Sequence, residues 1–416
     1  MTKLEQLINE LCPNGVEYKT LGELGKFFGG LTGKSKDDFT DGNAKFITYK
    51  NVYSNPALQI DVGDKVKIAD GEKQRTLQYG DVVFTGSSET PDECGISSVV
   101  TVKTDEKLYL NSFCFFFRFD DLSIMLPDFA KHLFRSSDLR YQIGKTASGV
   151  TRFNVSKKLM ENVTIPLPPI EVQSEIVRIL DNFTELTAEL TAELTARQKQ
   201  YDYYKNELLT FKNDILMCPL GDVCDVVSGG TPSKKNSEYW TNGTIKWLGS
   251  TVCQNLKYVD SVTDYITEKG LRESSAKMMR KETTLIALVG ATIGKIAFLP
   301  FEAAINQNIA GVYPKDTTVL NPSYVYYACT TLYPKFLALT QGSKLAMANM
   351  SFVRSLQIPI PPIDVQNEIV AILDRFDTLC NDISAGLPAE IEARQKQYEY
   401  YRDKLLTFEE CKENVG

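Results

Sequence analysis

The side chains that carry most enzyme chemistry are sparse in this 416-residue chain. There is one histidine, His132. It leaves a single candidate for a His-based triad and excludes the two-histidine H-E-x-x-H metal site. It lies in FAKHLFRSS, a helical pattern, where it reads as a structural residue. The nine cysteines contain no C-x-x-C pair, and the closest spacing is Cys218 to Cys224. Reduced, buried thiols in a cytoplasmic protein are the reading. The carboxylate pairs Asp37–Asp38 and Asp120–Asp121 lie in turn-like contexts and read as solvated. GATIGKIAF at 290–298 has three residues between its glycines where a phosphate loop needs four, and Ile296 where Ser or Thr would hold magnesium. It reads as strand, turn, strand.

One further motif needs weighing. NPSY at 321–324 differs by Ser323 from the N-P-P-Y motif of amino-methyltransferases. No Gly-rich cofactor loop on a βαβ unit precedes it. Asn321 and Pro322 are better read as the cap and first turn of a helix. No catalytic constellation emerges.

Charge points elsewhere. The net charge is −7, but it is unevenly spread. Residues 20–160 carry 19 Lys and Arg against 18 Asp and Glu; residues 218–358 carry 14 against 10. Residues 165–217 carry 5 against 9, and 359–416 carry 6 against 12. Within the first segment, 131–158 holds Lys131, Arg135, Arg140, Lys145, Arg152, Lys157 and Lys158 against Asp138 alone. Such a local positive face suits phosphate contact, which whole-chain charge would hide.

The acidic segments are copies of one another. IPLPPIEVQSEIVRILDNF at 165–183 returns as IPIPPIDVQNEIVAILDRF at 358–376, an offset of 193. RQKQYDYYKNELLTF at 197–211 returns as RQKQYEYYRDKLLTF at 394–408, an offset of 197. Ile176, Leu180, Phe183, Thr187, Leu190, Leu194, Arg197, Tyr201, Tyr204, Leu208, Phe211 and Ile215 alternate steps of four and three. That is a heptad seam, predicting one long helix packed along a partner. Pro166, Pro168 and Pro169 set its start. About 45 residues would span roughly 67 Å, near two turns of B-DNA. Inside lies TELTAELTAELTA at 184–196, a tandem tetrapeptide of about one helical turn per repeat. The second copy has CNDISAGLPAEIE there, within a stretch, 377–393, four residues longer than 184–196. Gly386 and Pro388 predict an interrupted helix.

Between the copies lie two segments of parallel plan. Each opens with a Gly-rich basic loop, GKFFGGLTGKSKDDF or VVSGGTPSKKNSEYW. Each continues with short strand candidates: KFITY, DVVFT, SSVVTV and LYLNSFCFFFRF, then TIKWL, TLIALV and KIAFL. Each ends in a helix and a polar loop, GKTASGVTRFNVS or QGSKLAMANMS. Two α+β domains of related plan and different detail suggest two readers of different targets. The opening MTKLEQLINELC reads as an amphipathic helix and not a signal peptide. No apolar run is long enough for a membrane span.

Together these blocks resemble the specificity subunit of type I restriction-modification systems, in the branch with tetrapeptide repeats in the central helix. The resemblance covers the whole chain. It implies an α+β fold: two target-recognition domains separated by two long, antiparallel coiled-coil helical segments, with an internal pseudo-twofold repeat. The corresponding boundaries are 1–164, 165–217, 218–357 and 358–416. It implies a non-catalytic subunit. Each domain would read one half of a bipartite double-stranded DNA site. The helices would set the spacing and dock two methyltransferase subunits, with restriction subunits joining. S-adenosylmethionine, ATP and magnesium would belong to those partners, none to this chain.

The family does not supply the base contacts. On physical grounds, loop Lys and Arg anchor phosphates, while Arg, Asn or Gln read base edges. The candidates are Lys34, Lys36, Lys145 and Arg152 in the first domain, and Lys234, Lys235, Lys344 and Asn349 in the second. Two other readings compete. A stand-alone DNA-modifying enzyme would need a cofactor site, which S-adenosylmethionine titration would reveal. A coiled-coil adaptor that does not bind DNA would have no need of two diverged domains.

Overall fold

The computed structural model describes residues 2–211, 215–340, 347–382 and 384–411. The chain divides into two compact units, 1–189 with 392–416, and 190–391. Each unit therefore combines one α+β domain with part of both helical segments, a partition different from the boundaries drawn on sequence.

In the first unit, helix Lys3–Leu11 starts with a capping box between Thr2 and Glu5. Strand Glu17–Thr20 pairs antiparallel with Thr164–Leu167, so Pro166 sits in a strand and not at the helix start. A two-stranded edge tolerates its missing N–H. The main sheet has the order Gly25–Gly29, Cys114–Phe119, Val82–Thr85, Ser97–Val99, all antiparallel. Phe115, Phe117 and Phe119 face one core cluster while Cys114 and Phe116 face another. Burial on both faces explains why this strand is a continuous apolar run. A second sheet runs Lys65–Val66, Ala44–Ile47, Leu108–Leu110, Thr76–Leu77, with its central pair parallel. LYLNSFCFFFRF is thus two strands in two sheets. Asn111 divides them, its Oδ1 accepting from the Phe113 amide at 2.8 Å, a side-chain-closed turn. A small third sheet joins Ala147–Ser148, Phe153–Val155 and Ser87–Ser88.

The second unit repeats the two-stranded pair and both four-stranded sheets in the same order; among the described residues the small third sheet has no counterpart there. Met217–Pro219 pairs with Gln357–Pro359. The main sheet is Cys224–Ser228, Ile309–Pro314, Thr284–Ala287, Ile296–Phe298. The other is Asp264–Ile266, Ile245–Leu248, Ala303–Ile305, Lys277–Met279, again with a parallel central pair. The Gly-rich loops recur at one place for one reason. A Cβ on Gly30 would lie 2.1 Å from the Asn111 carbonyl oxygen, and on Gly229 1.9 Å from that of Ile305. Only glycine allows the loop to lie against the neighbouring strand so closely.

The 290–298 segment is a turn between strands Thr284–Ala287 and Ile296–Phe298, as read. Asn321 caps helix Pro322–Thr330, with Pro322 at its first position.

The central helix runs Ile170–Leu209, 40 residues or about 60 Å. It is shorter than the seam suggested: Phe211 lies beyond its end, and Ile215 precedes strand Met217–Pro219, which the chain must leave the helix to form. The seam is otherwise visible in burial. Ile176 and Leu180 are fully buried, and Thr187, Leu190, Leu194, Arg197 and Tyr201 are half-buried between exposed neighbours. In the first unit Phe183 stacks on Tyr401, centroids 5.4 Å apart. In the second Tyr201 and Tyr204 stack on Phe376 at 6.0 and 5.6 Å. The distal segment is interrupted, as Gly386 and Pro388 predicted: helices Ile363–Asn381 and Leu387–Leu405 are separate. Asp382 Oδ1 accepts from the amides of Ser384 and Ala385, and Gly386 packs where a Cβ would meet the Thr378 carbonyl oxygen at 2.4 Å.

Candidate nucleic-acid interface

Each helical repeat grips its own domain through the same two positions. Gln173 is fully buried. Its Oε1 accepts from the Leu126 amide at 2.8 Å, and its Nε2 donates to the carbonyls of Ile124 and Pro168, both at 2.8 Å. Gln366, 193 residues on, does the same with Asn321, Val319 and Pro361 at 2.9, 2.9 and 2.8 Å. Asp181 and Asp374 are the second pair. Asp181 accepts from Nε2 of His132 at 2.8 Å, and Nδ1 of that ring meets the Tyr398 hydroxyl at 2.9 Å. Burial, foremost, holds the His132 imidazole below its ordinary pKa of 6.5. A neutral ring that donates at Nε2 and accepts at Nδ1 satisfies both contacts. His132 is thus structural. In the second unit Lys257, 2% exposed at its side chain, pairs with Asp374, which also accepts from the Tyr327 hydroxyl.

The positive segment 131–158 is only partly a face. Lys131 pairs with Asp128 and Asp181, both at 2.9 Å. Arg135 donates to the carbonyls of Ser97, Val52 and Tyr53, and Arg140 to those of Gly95, Asp92 and Cys94. Helices Pro127–Leu133 and Ser137–Gly144 pack into the core, so Lys131 is taken up by carboxylates and the two arginines by backbone carbonyls. Lys145, Arg152, Lys157 and Lys158 remain exposed.

Of the sequence candidates, Lys34 is drawn inward: its side chain is 9% exposed, and its ammonium bonds Glu72 and the Lys67 carbonyl, both at 2.6 Å. That contact, foremost, lowers the Glu72 pKa to about 2. Lys36 is exposed at the start of the turn Lys36–Phe39. Lys145 lies 4.0 Å from the centroid of the exposed Tyr141 ring. Lys234 lies over Trp240 at 5.4 Å, and Lys235 beside it is exposed. Asn349 is a helix cap, Oδ1 accepting from the Phe352 amide at 2.8 Å. Ser156 caps helix Lys157–Met160 in the same way. Lys344 lies outside the described residues.

Arg152 lines a cleft of about 620 Å³ with Tyr49, Lys50, Tyr53, Ser87, Ser88, Glu89, Glu93, Phe113 and Thr151. Its elements are the small sheet, the helix Tyr49–Ser54 and the turn after Asn111. Tyr53, Ser88 and Thr90 hydroxyls all donate to Glu93, which holds its carboxyl below the usual range. Exposed aromatic and cationic groups on loops carried by a rigid sheet are what a base-contacting surface requires. Sequence reasoning missed Tyr49, Lys50, Tyr53 and Phe113. The apolar run around Phe113 predicts a strand there, but the Asn111 turn, a signal present in the residues, exposes it. Among the described residues no group of His, Cys, Asp and Glu could hold a metal ion. No helix among them is long and apolar enough to cross a membrane.

A family model described as the type I restriction modification DNA specificity domain matches residues 13–198 and again 212–393. A type I restriction enzyme specificity subunit of Escherichia coli is 41% identical over 265 residues, covering 61% of this chain and 65% of that one. The S subunit of a type I restriction-modification system from M. genitalium has a TM-score of 0.54 at 14% identity, covering 94% and 96% of the two chains. A chain from a structure of type I complex assembly and conformational transition has a TM-score of 0.61 at 18% identity, covering 95% and 98%. At such identity the two structures show the fold, two α+β domains with long coiled-coil helices. With both copies of the family domain in place across most of its length, the chain belongs to the type I restriction-modification DNA specificity family.

Proposed function

We propose that this chain is the non-catalytic, sequence-reading subunit of a type I restriction-modification complex in the cytoplasm. Each α+β domain reads one half of a bipartite DNA site, and the helical segments set the distance between the halves. One observation carries this reading. The two domains share a strand topology and the glutamine grip on the helix, yet differ in the side chains of their exposed loops. A scaffold that is repeated while its loops diverge is what two readers of different sequences need.

The repeat also presents equivalent helical surfaces, which suits two methyltransferase subunits, with restriction subunits joining them. The S-adenosylmethionine, ATP and magnesium chemistry belongs to those partners. Candidate phosphate anchors in this chain are Lys36, Lys145, Lys234 and Lys235. The test is co-expression with the methyltransferase subunit of the same locus and mapping of methylated bases across the host genome. A single bipartite motif, absent when this chain is omitted, is expected. Methylation that does not depend on this chain overturns the proposal.

A further inference from the structure

Arg152 is a guanidinium with one edge already engaged and an aromatic ring beside it. Its Nε and Nη2 both donate to Ser87 Oγ, at 3.1 and 2.9 Å. The Phe113 ring, itself 56% exposed, lies beside it, with Cζ over the ring 5.4 Å from the centroid. The anchor is fixed in turn. Ser87 is 5% exposed, pairs with Asn154 across the small sheet, and its carbonyl accepts from the Tyr49 hydroxyl at 2.9 Å. A guanidinium has five N–H donors in a planar fork. Ser87 takes two. The other three have no partner among the described residues. One on Nη1 and one on Nη2 leave the outer edge side by side and parallel.

We propose that Arg152 reads a guanine in the first half-site, its outer Nη1–Nη2 edge donating to O6 and N7 in the major groove. This rests on the reading of the chain as a DNA-recognition subunit and names one of its base contacts. A phosphate contact needs only a charge. Here two donors on one hydroxyl oxygen orient the guanidinium beside an aromatic ring, which matters for a planar bidentate partner. Guanine offers two adjacent acceptors, whereas adenine offers an acceptor beside a donor, so a two-donor fork discriminates between them.

The second domain does not share the device. Thr85 pairs with Cys114 as Ala287 pairs with Ile309, which places Val289 and Asn308 in the register of Ser87 and Phe113. Neither a hydroxyl anchor nor a ring is there, so the second half-site is read by other means.

The experiment uses the full chain assembled with its methyltransferase subunit and duplex DNA carrying the mapped site. Each guanine of the first half-site is replaced in turn by 7-deazaguanine, which lacks the N7 acceptor. One replacement is expected to weaken wild-type binding roughly 10-fold, within the range for a bidentate pair. The same replacement should have no effect on Arg152→Ala. Arg152→Lys keeps the charge but not the fork and should behave like Arg152→Ala in base choice. Ser87→Ala should relax the same position while leaving the salt dependence of binding unchanged. Methylome mapping of Arg152→Ala should show that one position degenerate and the second half-site intact. The proposal is overturned if no guanine replacement separates wild type from Arg152→Ala, or if Arg152→Lys restores full base choice. It also fails if the first half-site holds no G·C pair. Any of these results leaves a bipartite, chain-dependent motif standing; loss of that motif altogether would instead sink the recognition role itself.

Discussion

Gln173 and Gln366 each spend a whole amide on three backbone groups, fixing the chain that enters the helix of the domain to the first turn of the long helical repeat. Removing such an amide strands buried donors and acceptors, at about 1–3 kcal/mol for each group left unsatisfied. Gln173→Ala should therefore destabilise the protein by roughly 3 kcal/mol, and Gln366→Ala by a similar amount. Denaturant unfolding of each variant would check this. A loss below about 0.5 kcal/mol for either, the range of an ordinary surface substitution, would show that the grip is dispensable.

His132 makes a different kind of residue-level prediction. It faces Asp181, Tyr398 and the Lys131 ammonium, and burial depresses its pKa below 6.5 in the fold. The unfolded chain then binds the proton more readily than the native one. Stability is full above pH 6.5, falls as the pH drops from there toward the depressed native value, and is level beneath it. Thermal unfolding followed from pH 7.5 to 5 should show this loss. In His132→Gln the slope across that window should flatten. Equal slopes in the two proteins would mean that His132 stays neutral in both states or charges freely in both.

At the scale of elements, the tandem tetrapeptide predicts that the central helix is a ruler. Deleting Thr191 to Leu194 removes four residues, about 6 Å of rise and a full turn plus roughly 40° of rotation. One base pair of B-DNA turns about 34–36° and rises about 3.4 Å. Rotation predicts a gap shorter by one pair, and rise alone nearer two. One pair is the expected outcome, because a wrong angle swings a reader off its groove while protein and DNA can share a few ångströms of stretch. The half-buried seam through Thr187, Leu190 and Leu194 is nearly kept in register, so folding should survive. Methylome mapping of the deletion decides the matter. An unchanged gap, or altered half-site sequences, ends the ruler idea.

At the scale of the whole molecule, the two domains carry the same two four-stranded sheets in the same order. Exchange of residues 218–357 for the equivalent segment of a relative should therefore change one half-site and preserve the other. The helical repeats supply the same contacts to either insert, since Gln366 and Asp374 bond to backbone groups and to residues within the exchanged segment. Comparison of the parental and chimeric methylomes reads the result directly. Simultaneous change of both half-sites would show that the domains do not read independently.

Much of this was legible in the residues. The repeat, the seam, the break at Gly386–Pro388 and the capped start at Asn321–Pro322 are local patterns, set by period, backbone freedom and caps that involve neighbours in sequence. The α+β class and the family came from repetition and from the resemblance those blocks carry. The strand topology was beyond reach, because the parallel central pairs join Lys45 to Leu108 and Trp247 to Ala304, far apart in sequence. The site was least legible. Lys34, Arg135, Arg140 and Arg152 look alike as letters. Only the fold decides that Lys34 is held by Glu72, that Arg135 and Arg140 serve backbone carbonyls, and that Arg152 presents a free edge beside Phe113. Sequence determines where charges and apolar runs lie along the chain. Whether a charge faces solvent or an orphaned backbone group depends on long-range packing, and that is settled only when distant segments meet.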